Sequence, residues 1–195
     1  MSSPDHQDER PARKPTARPA LIVLAVLLPF AAAVGVYEWA SHVTPDYNAG
    51  LFGVNGVDTF ELKARLATAL LGLAVIQLLL ALWMYGRVPG GRPAPKPVRT
   101  THRVIGLLAF LLSLPIAIHC ITAYGFETTN ARVTIHSSCG CLLYGAFVAK
   151  VVVVRSRRLP GWALPLAGSV LICAIGVMWY SAALWVFNGD TLPPV

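Results

Sequence analysis

Five long runs of apolar residues, separated by shorter polar stretches, dominate the chain. They extend approximately from Ala20 to Trp39, Ala64 to Tyr85, Val104 to Tyr124, Val133 to Val154 and Trp162 to Phe187. Each is long enough to cross roughly 30 Å of hydrocarbon, which takes about 20 helical residues at about 1.5 Å each. The run ALLGLAVIQLLLALWMY is continuous. A barrel strand would instead alternate polar and apolar residues over about ten positions. The pattern therefore predicts an all-α integral membrane bundle of five transmembrane helices over 20–187. The first run is longer than a signal-peptide core and closes on the interfacial residues Tyr37, Glu38 and Trp39, so it is expected to stay as a helix. Residues 1–19, polar and proline-rich, predict a disordered cytoplasmic tail, and 188–195 a short outer tail.

Composition agrees with the pattern. Of the 195 residues, 55% are hydrophobic and 13% charged, too little charge to coat a water-soluble surface of this size. The formal net charge of +7 acquires meaning once it is divided between the two sides of the membrane. Arg10, Arg13, Lys14 and Arg18 lie in the tail, Arg87, Arg92, Lys96, Arg99 and Arg103 between the second and third runs, and Lys150, Arg155, Arg157 and Arg158 at the end of the fourth. The opposite side has Lys63, Arg65 and Arg132 against Glu38, Asp46, Asp58, Glu61, Glu127 and Asp190. Positively charged loops stay inside, which predicts the N-terminus inside and the C-terminus outside in a multi-pass protein of the cell membrane. The basic balance is thus topology, with membrane lipid as the partner and no nucleic acid.

The extramembrane segments carry no catalytic motif. The inner loop GRVPGGRPAPKPVR reads as a flexible or polyproline-like connector. The outer loop from Ser41 to Lys63, with Gly50, Gly53 and Gly56 at three-residue spacing, reads as turns. Function is expected within the bundle or in docking to another protein.

Ionisable groups inside a bilayer are costly, which makes them functional candidates. His119 lies 16 residues after Arg103, hence roughly 24 Å above the inner boundary, and His136 lies 19 residues before Arg155, hence roughly 28 Å above it. A short loop joins their helices, which should pair as an antiparallel hairpin with both imidazoles in the outer third. Two histidines on neighbouring helices form the ligand set of a b-type haem, one nitrogen on each axial side of the iron. Gly140, one turn below His136, leaves room for a flat macrocycle. The alternative is that both histidines simply pack or hydrogen-bond at the interface. His102 has no histidine partner at its depth, and its 17-residue spacing from His119 leaves the two about 100° apart around the helix, so one haem is expected rather than two.

Cys120 adjoins His119, and Cys139 lies one turn after His136. In an oxidising outer compartment Cys120 and Cys139 could form a disulfide between the third and fourth helices; alternatively, His119, Cys120, His136 and Cys139 offer nitrogen and sulfur ligands for copper or zinc. Gln77, Lys150 and the aromatic residues near the span ends read as an interhelical hydrogen bond, a snorkelling cation and interfacial anchors.

On HRVIGLLAFLLSLPIAIHC, HSSCGCLLYGAFVAK, PGWALPLAG and WYSAALW, the chain resembles a family of small polytopic actinobacterial membrane proteins of undefined function. It is more weakly similar to b-type cytochrome membrane subunits. That resemblance implies axial roles for His119 and His136 alone. The expected function is a membrane electron-transfer subunit with one haem b near the outer face, passing electrons between quinol and an outer iron–sulfur or other redox protein. The alternative is a non-catalytic scaffold or assembly subunit without haem.

Overall fold

The computed structural model describes residues 19–87, 93–156 and 159–192. It is helical, with five helices long and apolar enough to cross a membrane. Helix α1 is Pro19–Ser41, α2 Val57–Met84, and α3 Lys96–His119, which continues as a π-helical turn, Cys120–Tyr124. Helix α4 is Ala131–Arg155, and α5 is Ala163–Met178, followed by a π-helical segment, Trp179–Leu184, and a last turn, Trp185–Phe187. The tail expected to be disordered lies outside the described residues except for Pro19, which opens α1. The inner connector lies outside them over 88–92.

Two helices start earlier than their apolar runs. Helix α2 begins at Val57 rather than near Ala64, which takes Lys63, with Asp58 and Glu61, out of the expected loop and into the helix. Polar residues favour this start: Asp58 sits in the first turn, where the helix dipole welcomes an acid, and Glu61 pairs with Arg65 one turn on at 2.9 Å. Helix α3 begins at Lys96 rather than Val104, because Pro95 and Pro97 occupy the N-cap and first turn, where a missing N–H costs nothing. The polyproline-like connector is correspondingly shorter than expected.

Helix α1 packs on α4, α4 on α5, and α2 on both α3 and the end of α5. Close approach of α1 and α4 depends on Gly145, where a Cβ would lie 2.7 Å from the Pro29 carbonyl oxygen and 3.0 Å from the Ala33 Cβ. The α4–α5 seam is a cluster of Leu143, Leu171 and Ala174 flanked by Phe147 and Met178. Phe147 in turn stacks on Phe110 of α3, ring centres 4.3 Å apart. Many other large apolar side chains, Val26, Phe30 and Leu107 among them, are exposed on the outside of the bundle, as lipid contact requires.

The loops 42–56 and 125–130 lie at one end, here the long-loop end. Gly125, at φ 69°, turns the chain out of the π-helical turn. Phe126 N–H then donates to the Ala40 carbonyl at 3.0 Å, while Asp46 N–H donates to the Ala123 carbonyl at 2.6 Å. These bonds hold the α3–α4 corner against the end of α1. Asn130 caps α4 by accepting from Val133 N–H at 3.0 Å.

Candidate functional site

A cavity of about 450 Å³ occupies the long-loop half of the bundle, walled by all five helices. On α2 its wall is Phe60, Lys63, Ala64, Ala67 and Leu70, spaced three and four apart on one helical face. Helix α3 contributes Cys120 and Tyr124, and α4 contributes Arg132, His136 and Gly140. Ser113 and Tyr144 also line it, their hydroxyl oxygens 3.3 Å apart across the α3–α4 contact.

His136 is on this wall. Its Nδ1 lies 3.1 Å from the Ser181 hydroxyl, which itself donates to the Met178 carbonyl at 3.2 Å. Ser181 belongs to the π-helical part of α5, where Trp185 N–H turns to the Ala182 carbonyl. The Ser181 carbonyl accepts a side-chain bond from Arg132 Nη1 at 2.8 Å. One widened turn thus positions both a histidine and an arginine of α4. The Arg132 guanidinium also lies over the Trp185 ring, 3.9 Å from its centre. Gly140 also lines the cavity. A Cβ there would meet only Met178 Cε, at 3.8 Å, so its bareness serves the cavity more than helix packing.

His119 is placed differently. It is 6% exposed but is not part of the cavity wall. Its Nε2 lies 3.2 Å from the Ala49 carbonyl of the 42–56 loop, its ring stands edge-on to Tyr124 at 5.3 Å, and its Nδ1 is buried without a partner. The two imidazoles therefore face different neighbours instead of a shared centre. The expected bis-histidine arrangement departs from the structure at this point: equal depth along two helices does not set the direction in which each ring points.

Of the alternatives for the cysteines, the structure has the free thiols: all four are free, Cys120 and Cys139 among them. Cys120 lines the cavity with its sulfur 4.0 Å from Lys63 Nζ, whereas Cys139 is not on that wall. Among the described residues no group of three or more His, Cys, Asp or Glu side chains is arranged to hold a metal ion. Gln77 does what its sequence position suggested, its Nε2 donating to the His102 carbonyl and tying α2 to α3.

Lys63, counted in the sequence only as an outer-loop charge, is 8% exposed. Its Nζ lies 3.9 Å from the centre of the Tyr124 ring and 5.0 Å from that of Phe60. Tyr124 stacks with Phe60 on one side and Tyr47 on the other, each at 5.6 Å. The helical spacing of Phe60, Lys63, Ala64 and Ala67 was the available signal, obscured by treating a charged residue as the end of an apolar run. Ser181 had no such signal, because a π-turn leaves no pattern in the side chains.

These features lie within a region matched, over residues 22–194, by the model of a family of unknown function, DUF6529. The chain belongs to that family. No curated protein and no solved structure matches it. The expectation of a family without a defined function is met, while none of these comparisons shows a similarity to b-type cytochromes.

Proposed function

We propose that the protein is a cell-membrane electron-transfer subunit, N-terminus inside and C-terminus outside, that holds one haem b in the cavity near its outer face and exchanges electrons between quinol and an outer redox protein. The observation that carries this reading is the His136 imidazole on the wall of a largely apolar intramembrane cavity of about 450 Å³. The residues fit the group in three respects. His136 offers an imidazole nitrogen beyond the one near Ser181, Gly140 leaves the wall flat one turn away, and Lys63 and Arg132 supply cations for the carboxylates of a haem. When bound, haem supplies a one-electron redox centre whose potential responds to its ligands and to burial. The chain's part is to orient His136 through Ser181 and to surround the centre with apolar side chains. His119, held at the Ala49 carbonyl, is not assigned as a second ligand.

The purified protein from haem-replete cells should show a Soret band, and His136→Ala should abolish it, whereas His119→Ala should retain it. A colourless protein, or a Soret band unaffected by His136→Ala, would overturn the assignment.

One observation favours a second reading: each histidine already has a hydrogen-bonding neighbour, His119 at Ala49 and His136 at Ser181. On that reading the protein is a non-catalytic membrane subunit and its histidines serve packing. The host complex would then keep its activity in the double alanine variant.

A further inference from the structure

We infer that the long-loop end of the cavity is a carboxylate-recognition subsite, in which Lys63, Arg132 and Tyr124 receive the acid group of an amphipathic ligand whose apolar body fills the rest of the cavity. Carboxylates of this kind come from a haem or from a fatty acid; the first source rests on the proposed function, the second does not.

Lys63 is more than nine-tenths buried and lines the cavity, yet among the described residues the ion pairs are Glu38–His42 and Glu61–Arg65, neither of which engages it. Its neighbours are the Tyr124 and Phe60 rings and the Cys120 sulfur. Contact with aromatic faces returns only a small part of what burying an ammonium group costs. Arg132 lines the same cavity, likewise without an ion pair, and Glu127, the acidic residue on the wall, is joined to neither cation.

Two further features have the same sign. Arg132 is in the first turn of α4, at the positive end of a helix dipole, where a cation is unfavourable on its own and an anion is favoured. Lys63, in the second turn of α2, adds a second positive charge on the same cavity wall. The Tyr124 hydroxyl oxygen, moreover, is buried without a hydrogen-bond partner, and Tyr124 lines the cavity beside Lys63. A buried hydroxyl of that kind calls for an acceptor. The remaining wall is mostly apolar, Ala64, Ala67, Leu70 and Ile175 among others, and suits a hydrocarbon or macrocycle.

The test uses the full-length protein in nanodiscs of a zwitterionic lipid and two matched pairs of probes. Palmitate is compared with hexadecanol by competition against a fluorescent fatty-acid analogue, and haem b with its dimethyl ester by direct absorption titration. The acid of a pair should bind at least roughly tenfold more tightly than its neutral counterpart, the size of one charge-assisted hydrogen bond. Lys63→Met should erase most of that preference, Lys63→Arg should keep it, and Tyr124→Phe, which preserves the ring stack, should reduce it by a smaller factor. Thermal unfolding of each variant separates lost recognition from lost folding.

Preference for palmitate with no haem binding would support the subsite and sink the haem assignment. Preference for haem over its ester with no binding of palmitate would support both. Equal binding of acid and neutral probes in both pairs, or a preference unchanged in a folded Lys63→Met protein, would overturn the inference.

Discussion

Lys63, Arg132 and His136 stand on the wall of a mostly apolar cavity, Ser181 supports His136 from behind that wall, and each can be addressed separately. Removing a buried charge that has no counter-ion relieves its desolvation, so Lys63→Met should leave the ligand-free protein as stable or more stable, by about 1 kcal/mol, in a thermal melt in detergent. A melt lowered by several degrees would mean that the aromatic contacts at 3.9 and 5.0 Å, rather than a ligand, account for the lysine. Ser181→Ala takes away the hydroxyl beside His136 Nδ1 and should cost about 1 kcal/mol of stability, typical of one intramolecular hydrogen bond. If His136 holds haem as proposed, the same variant should shift the Soret maximum, because the serine would act on the cofactor only through the imidazole. An unchanged spectrum together with the loss of stability would leave Ser181 a packing residue.

At the scale of elements, the fold depends on how closely helices approach and on where their regular turns are interrupted. Gly145 brings α4 against Pro29 of α1, so Gly145→Leu should force the two helices apart and destabilise the protein by about 1–3 kcal/mol, an ordinary overpacking cost. Gly140 has a different surrounding: Gly140→Ala adds a methyl group 3.8 Å from Met178 Cε and should fold normally, while Gly140→Leu should fold but obstruct the cavity, lowering probe affinity roughly tenfold. Melts and probe titrations on the three variants separate packing from cavity. The contrast was hidden in the sequence, where Gly140 and Gly145 occur five residues apart in one apolar run with nothing to tell which faces a helix and which faces open space. Helix starts were partly legible for a similar reason. The acid and ion pair at the beginning of α2 and the prolines of α3 carried the information, but the hydropathy pattern marked only where the polar residues ended.

For the whole molecule, the division of charge leads to an orientation that can be read directly. Asn48→Cys in the 42–56 loop should react with a membrane-impermeant maleimide added to intact cells, and Arg99→Cys at the start of α3 should react only after the cells are opened. The reverse pattern would invert the topology and move the cavity to the inner side. Five spans, their lengths and the segregation of basic residues follow from the sequence by itself, because a bilayer demands about 20 apolar residues per crossing whatever their neighbours. The depth of His119 and His136 is set equally by sequence, since the helical rise is constant. Direction is not. Whether an imidazole faces a cavity, a loop carbonyl or a serine depends on how helices rotate against one another, and here Gly145, the α3–α4 corner and the π-turn at Ser181 decide it. Tertiary packing alone turned His119 toward Ala49, set His136 on the cavity wall and buried Lys63 there beside it.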